Sequence, residues 1–193
     1  MAFFEMHCFS HALNVEVAVN VIIPDKPKSE KKSGPRFDSY KTLYLLHGLS
    51  DDHTIWMRRT SIERYAIERG IAVVMPAGNR SWYSDTAYGA KYFSFVAEEL
   101  PEICRSMFSG MSAEREDNII AGLSMGGYGT WNLLMNHPDV FCAGVAIGLT
   151  YGKTLAEACE IGTRLAASVI VSSENVCPRF LPRELGLDMD VED

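Results

Sequence analysis

Short, continuous apolar runs recur along the chain, separated by segments with the residue spacing of amphipathic helices. Runs of this kind are typical of strands that are buried on both faces of a sheet. Such strands, alternating with helices, predict an α/β fold in which a mostly parallel sheet lies between two helical layers, a three-layer sandwich. The predicted strands are 15–23 (VEVAVNVII), 42–46 (TLYLL), 71–75 (IAVVM), 118–121 (NIIA) and 141–147 (FCAGVAI), and the predicted helices are 55–68, 93–108 and a third that ends near 135.

Length and composition limit the classes of protein to which this chain can belong. Its 193 residues suit one domain, and an apolar fraction of 47% is enough for a buried core. A net charge of −7 argues against nucleic acid as the main partner. No apolar run reaches the roughly 18 residues of a membrane span, and no export signal is visible, so we expect a cytoplasmic protein. The five cysteines are scattered without a CxxC pair and are expected to be free thiols rather than a zinc site.

A G-x-S-x-G motif at 122–126 (GLSMG) follows the predicted strand 118–121 and precedes a predicted helix. This strand–turn–helix setting is the one in which a nucleophile elbow presents a catalytic serine. Glycines flank the serine because Cβ atoms at those positions would collide with the strand and the helix. The motif therefore predicts Ser124 as a nucleophile, with its oxygen above the sheet at a helix N-terminus. The alternative is a glycine-rich turn in which the serine is incidental.

Two backbone N–H groups are candidates for an oxyanion hole, which stabilises the negative oxygen that develops during acyl transfer. One belongs to Met125, the residue after the serine. The second is expected from the loop after strand 42–46, where Leu49 follows His47 and Gly48. Because His47 lies at the end of that strand, we expect it to brace the loop rather than to act as a general base.

Residues 1 to about 147 resemble the esterase D and S-formylglutathione hydrolase-like branch of the α/β-hydrolases, and within it the small bacterial tributyrin and acetyl esterases. The matching stretches are LYLLHGLSDDHTIWMRRTSIERYA, VVMPAGNRSWYSDTAYGAKYFSFVAEELP and IIAGLSMGGYGTWNLLMNHPDVF. The resemblance implies the α/β-hydrolase fold, a nucleophilic Ser124, and oxyanion donors at Leu49 and Met125.

The resemblance also implies that part of the segment 79–85 lies near the mouth of the acyl or alcohol pocket. For Trp82 and Tyr83, contact with substrate and ordinary packing at the pocket rim are both open. Glu98 and Glu99 are expected on a solvated helix face rather than as an acid–base dyad. The residues implied at the pocket mouth are Asn79, Ser81, Trp82, Tyr83 and Asp85.

The chain departs from the hydrolase pattern after Ser124. An α/β-hydrolase serine is activated by a histidine that an acid orients, and both follow the serine in the chain. His137 is the one histidine after Ser124, and a helix between them would separate the two by about 18 Å, so His137 is not the base. His53 is one candidate for a substitute base. Another candidate is His7 or His11 of a second copy of the chain, which would reach Ser124 across an interface. No acid is identified.

Residues 148–193 do not resemble an esterase continuation. The stretches YGKTLAEAC, IGTRLAAS and VIVSSENVCPRFLPRELGLD are similar to the C-terminal segment of a ribokinase-like (PfkB) carbohydrate kinase, without any phosphate-binding or catalytic motif. We therefore interpret 1–193 as a single α/β-hydrolase domain that is C-terminally incomplete, with an esterase-like core at 1–147 and an atypical segment at 148–193. In an alternative interpretation, residues 158–172 supply a substitute helix and edge strand.

Loss of the last strands of a hydrolase sheet would leave 141–147 at an exposed edge. A flat apolar edge pairs readily with another chain. We therefore expect dimerisation or aggregation through this edge unless residues 169–172 cover it.

The sequence as a whole predicts a serine carboxylic-ester hydrolase that acts on short acyl esters without a metal or cofactor. An acyl-enzyme would form at Ser124, and turnover would be impaired because the histidine and the acid are not found. The alternative is a catalytically inactive remnant, or a binding module, that keeps the pocket of the α/β-hydrolase fold.

Overall fold

The computed structural model describes residues 1–25 and 39–147 of the chain. Within these residues six strands form one sheet in the order β1-β2-β4-β3-β5-β6. Strands β4, β3, β5 and β6 run parallel to one another, whereas β1 and β2 form an antiparallel hairpin that joins β4. The strands are β1 (Ala2–Ser10), β2 (Val15–Ile23), β3 (Thr42–Leu46), β4 (Ala72–Pro76), β5 (Asn118–Leu123) and β6 (Ala143–Ile147).

Helices cover both faces of this sheet. One face packs against the helices that follow β4 and β5, and its core includes Phe95, Leu100 and Leu133. The opposite face packs against the helices that follow β3, through a core that includes Ile55 and Trp56. The helices are α1 (Ile55–Arg59), α2 (Ile62–Arg69), α3 (Tyr92–Ser94), a π-helical turn (Phe95–Glu99), α4 (Leu100–Met107), a 3-10 turn (Arg115–Asp117) and α5 (Met125–Asn136).

The α/β prediction is confirmed, since a sheet between two helical layers is the three-layer sandwich expected from the sequence. The apolar runs form β3, β4 and β5 because nearly all of their side chains are buried. Residue Leu46 at the end of β3 pairs with Gly122 at the end of β5. This register places the loop after β3 beside the G-x-S-x-G turn, because the carboxyl ends of parallel strands meet at one edge.

Three elements differ from the prediction, and one of them is the helix predicted at 93–108, which contains the π-helical turn Phe95–Glu99. Strand β1 was not predicted, because most of its side chains are exposed and give no apolar–polar alternation. The helix predicted at 55–68 is divided in two at Thr60, whose backbone is extended. The Thr60 hydroxyl donates a hydrogen bond to the carbonyl oxygen of Trp56 at 2.5 Å and accepts one from the N–H of Ile62 at 3.2 Å. This side chain therefore bonds to both helices at the point where α1 ends.

Strand β6 lies at one edge of the sheet within the described residues, and β1 lies at the other. The predicted cover of the β6 edge by 169–172, the substitute elements at 158–172 and the kinase-like segment at 148–193 lie outside the described residues. The division of the chain into an esterase-like core and an atypical segment therefore stays a prediction. No helix within 1–25 and 39–147 is long and apolar enough to cross a membrane.

Candidate active site

Ser124 occupies the sharp turn between β5 and α5. Its backbone has φ of 54° and ψ of −113°, a region that residues with a Cβ rarely adopt and that costs of order 1–3 kcal/mol. Its carbonyl oxygen accepts the first hydrogen bond of α5, from the N–H of Tyr128 at 3.0 Å. The serine is therefore held at the N-terminus of the helix, in the geometry of a nucleophile elbow.

Close backbone packing explains the two glycines of the motif. A Cβ at Gly122 would lie 2.2 Å from the carbonyl oxygen of Gly126, and a Cβ at Gly126 would lie 2.5 Å from the carbonyl oxygen of Leu46. Both contacts involve backbone atoms, which cannot move aside without disturbing β3, β5 or α5. The glycine spacing thus lets the turn bring Ser124 up against the end of β3.

The loop after β3 lies directly against this turn. A Cβ at Gly48 would be 3.8 Å from the Cβ of Ser124 and 3.5 Å from the carbonyl oxygen of Leu123. Leu49, the next residue, is half-buried and packs against the main core. Met125 is fully buried at the first position of α5, where helix N–H groups have no acceptor within the helix. Met125 therefore directly follows Ser124, and Leu49 directly follows Gly48, the residue that lies against the Ser124 turn.

His47 braces the loop after β3. Its Nε2 accepts a hydrogen bond from the N–H of Gly78 at 2.8 Å, and its Nδ1 lies 2.7 Å from the carbonyl oxygen of Gly48. This pair of contacts requires a neutral ring with its hydrogen on Nδ1. Burial lowers the pKa of His47, although the bond to Gly48 and the nearby Asp51 carboxylate act in the opposite direction. Both ring nitrogens bind backbone groups, which fits the expectation of a bracing role.

Tyr83 lies beneath the site rather than at the mouth of a pocket. Its ring is fully buried and packs directly against two glycines. A Cβ at Gly78 would lie 2.4 Å from the ring, and a Cβ at Gly129 would lie 2.6 Å from it. Its hydroxyl donates a hydrogen bond to the carbonyl oxygen of His47 at 3.1 Å, and burial raises its pKa. The structure therefore corrects the expectation of a rim position, and Tyr83 joins the segment 78–85 to β3 and α5.

The other polar residues of this segment bind within the protein. The Asn79 amide donates to the Tyr92 hydroxyl at 2.5 Å, and the Ser81 hydroxyl donates to the carbonyl oxygen of Gly78 at 2.6 Å. The Asp85 carboxylate accepts from the N–H and the hydroxyl of Ser94, at 3.0 and 2.6 Å. These contacts fix the loop between β4 and α3, so the polar groups implied at the pocket mouth hold the loop in shape.

Trp82 remains at the surface, 47% exposed. Its ring meets the ring of Tyr128 edge to face, with centroids 5.6 Å apart and an interplanar angle of 83°. Tyr128 was missed by the sequence analysis, although its position four residues after Ser124 on a helix places it one turn away on the same side. The two half-exposed rings form an aromatic pair, Trp82–Tyr128, one helical turn from the serine.

No histidine within 1–25 and 39–147 forms a hydrogen bond with the Ser124 hydroxyl. His137 ends α5, where its ring lies 3.5 Å from the Glu98 carboxylate and 3.6 Å from that of Asp139. This placement agrees with the expectation that His137 is not the base. His53 is half-buried in the turn before α1. In the same part of the chain no group of histidine, cysteine and carboxylate side chains could hold a metal ion.

Comparison with known proteins places the chain in a family. The family model "Esterase", described as "Putative esterase", matches residues 10–149. The chain belongs to this esterase family. Its lineage is therefore that of the carboxylesterases, as the resemblance in the sequence implied.

Individual relatives agree with this family. An acetyl esterase of Caldicellulosiruptor saccharolyticus is 35% identical over 131 residues, which are 67% of this chain and 49% of the relative. The fluorophosphonate-binding serine hydrolase F of Staphylococcus aureus superposes with a TM-score of 0.68 at 39% identity, over 75% of this chain and 56% of that one. An S-formylglutathione hydrolase of the same organism gives a TM-score of 0.64 at 40% identity, over 73% and 54%. The chain thus spans about half the length of these relatives, and their fold is the α/β-hydrolase type expected.

Proposed function

We propose that this chain of the esterase family is a serine carboxylic-ester hydrolase for short acyl esters. The observation that carries the proposal is the strained turn at Ser124, with φ of 54° at the N-terminus of α5. A non-glycine residue in this conformation, at the start of a helix and flanked by two glycines, is the arrangement that presents a nucleophilic side chain in a nucleophile elbow. The family match supports the reaction class, and the acetyl esterase relative supports a short acyl group.

In the proposed reaction the Ser124 oxygen attacks the carbonyl carbon of the ester and its proton leaves to a base. The carbonyl oxygen becomes an oxyanion, which accepts hydrogen bonds from the N–H groups of Leu49 and Met125. Collapse of this intermediate breaks the bond to the alcohol oxygen, which takes up a proton, and leaves the acyl group on Ser124. Water then attacks the acyl-enzyme and releases the carboxylic acid.

The aromatic pair Trp82–Tyr128 is proposed as one wall of the site, because it is half-exposed and lies one turn from Ser124. The protein's partner is accordingly a small-molecule ester. No metal or cofactor takes part in the proposed steps. The cytoplasmic location and the self-association through the β6 edge remain proposals, based on the sequence and on the place of β6 in the sheet.

We propose further that turnover by this chain is impaired. No histidine of the described residues contacts the Ser124 hydroxyl, and His137 lies at the far end of α5. In a serine protease, loss of the base costs roughly 10⁶-fold in rate, while the oxyanion hole and binding retain about 10³-fold over water. The second candidate function, favoured by the same observation, is a non-catalytic binding module that keeps the site.

A nitrophenyl ester with a short acyl chain and a fluorophosphonate probe test these proposals together. We expect slow ester hydrolysis and slow labelling, both lost in Ser124→Ala and both retained in Ser106→Ala, a matched serine exposed on α4. Retention of both in His53→Ala would exclude His53 as the base. Rates typical of an intact triad would contradict the impairment, and absence of both labelling and hydrolysis in the native chain would favour the binding module.

A further inference from the structure

Strand β1 (Ala2–Ser10) forms an edge of the sheet that lacks three common protections against pairing, namely a bulge, a lysine and a proline. It pairs with β2 in an uninterrupted register from Ala2 opposite Ile23 to Ser10 opposite Val15, so it contains no bulge. The opposite edge of β1 has no strand beside it among the described residues. The strand also contains neither lysine nor proline, two residues with which proteins commonly block exposed edges.

The exposed face of β1 is apolar at both ends and polar in the middle. Phe3 and Phe9 are 37% and 50% exposed, and Glu5 and His7 between them are also exposed. Side chains of alternate residues lie on one face of a strand, so these four share a face. The residues between them face the main core, where Met6 is half-buried.

The sequence of β1 is complementary to itself when it is read in the opposite direction about Met6. In an antiparallel pair of two β1 strands centred on Met6, Glu5 would lie opposite His7 of the second copy, and Phe3 opposite Phe9. Directly opposed residues have Cβ atoms about 4.5–5.5 Å apart, and aromatic pairs or complementary polar pairs at such positions stabilise sheets. A glutamate carboxylate accepts a hydrogen bond from an imidazole N–H in either protonation state of the histidine.

Symmetry allows this arrangement without strain. A two-fold axis perpendicular to the sheet at Met6 keeps each face of the sheet on its own side, so the exposed face of one copy continues into the exposed face of the other. The contact is isologous and closes on itself, which gives a dimer rather than a fibre. On the opposite face, Phe4 would lie opposite Cys8 of the second copy.

We propose that two copies of this chain associate through β1, antiparallel and centred on Met6, to form one continuous sheet. The occupant of the edge is a second copy because each feature of the strand finds its complement in the strand itself. The backbone N–H and C=O groups of the edge supply the affinity, and the Glu5–His7 and Phe3–Phe9 pairs supply the register. The β6 edge and the Ser124 site take no part in this interface, so the proposal is independent of catalysis.

Charge reversal with rescue tests the pairing. Sedimentation equilibrium of the full chain is expected to show a reversible dimer. In His7→Glu, the new glutamate of each copy would lie opposite Glu5 of the other copy, so the dimer would contain two repulsive pairs. We expect this repulsion to weaken the dimer by about tenfold or more. The double variant Glu5→Lys with His7→Glu restores opposite charges at both places and is expected to recover the affinity. In the monomer both side chains are exposed, so thermal unfolding of the dilute variants should match that of the native chain.

Cross-linking tests the register. Met6→Cys would place two thiols across the two-fold axis, and mild oxidation is expected to give a disulfide-linked dimer. Phe9→Cys is the matched control, because its counterpart in the second copy would lie six residues along the strand, about 20 Å away. A chain that stays monomeric at every concentration overturns the proposal. So does a dimer that is insensitive to His7→Glu, since that dimer would use another surface.

Discussion

At the scale of single residues, the backbone of Ser124 carries the strongest indication of function in the molecule. Its φ of 54° and ψ of −113° are held because Gly122 and Gly126 let β3, β5 and α5 approach one another closely. Strain of this kind persists only where the surrounding packing determines it. The fold therefore holds the Ser124 hydroxyl in position at a cost in stability.

Replacement of Ser124 by glycine should recover part of that stability. Ser124→Gly removes the Cβ that makes the conformation unfavourable, a relief of about 1–3 kcal/mol, offset by about 0.5–1 kcal/mol because glycine has more freedom in the unfolded chain. We expect Ser124→Gly to be more stable than Ser124→Ala by about 1 kcal/mol in urea unfolding. Ser124→Ala is the control, because it removes the hydroxyl and keeps the Cβ. If the turn is not strained, Ser124→Gly will instead be less stable than Ser124→Ala by about 0.5–1 kcal/mol.

At the scale of elements, the carboxylate of Glu99 joins the π-helical turn (Phe95–Glu99) to the β1–β2 hairpin. It accepts hydrogen bonds from the Ser10 hydroxyl at 2.5 Å, the N–H of His11 at 2.6 Å and the N–H of Ala12 at 3.2 Å. The expectation of a solvated Glu98–Glu99 face therefore fits Glu98, which is exposed, and is wrong for Glu99. A sequence pattern cannot separate two adjacent glutamates whose difference depends on a hairpin about 90 residues away.

Glu99 should make the stability of the chain depend on acidic pH. Burial acts to raise the pKa of this carboxyl, but the three hydrogen bonds and the nearby His11 outweigh it and hold the pKa below its ordinary value of 4.5. The contribution to stability is therefore complete above pH 4.5 and is lost as the pH falls through the lowered pKa of the folded state. We expect Glu99→Gln to cost about 1–2 kcal/mol at neutral pH, with the cost shrinking as the pH falls below 4.5.

Unfolding by urea at several pH values measures this effect. Glu98→Gln, at the exposed neighbour, is the control and should change stability by less than about 0.5 kcal/mol at any pH. If the loss of stability caused by Glu99→Gln is the same at neutral pH and at pH 3, the contact between Glu99 and the hairpin does not depend on the charge of the carboxylate.

At the scale of the whole molecule, the buried strands could be predicted from the sequence, whereas the exposed strand β1 could not. Strands β3, β4 and β5 could be predicted because apolar runs are buried on both faces of a sheet, and the Ser124 turn because its glycines have a steric reason. Strand β1 could not, because its exposed aromatic residues follow no simple period. The role of Tyr83 was missed for a different reason, since its contacts with Gly78, Gly129 and His47 join three segments distant in sequence.

The difference in burial between the central and the edge strands also determines which part of the sheet unfolds locally first. Strand β4 is fully buried and lies between β2 and β3, whereas β1 is largely exposed and bonded to β2 alone among the described strands. Local opening costs least where few apolar contacts are lost. In native-state hydrogen exchange of the dilute chain, we expect the amides of β1 to exchange orders of magnitude faster than those of β4, and their protection to rise with chain concentration as the proposed dimer forms. Protection of β1 equal to that of β4 in the dilute chain would mean that the hairpin unfolds only with the whole domain.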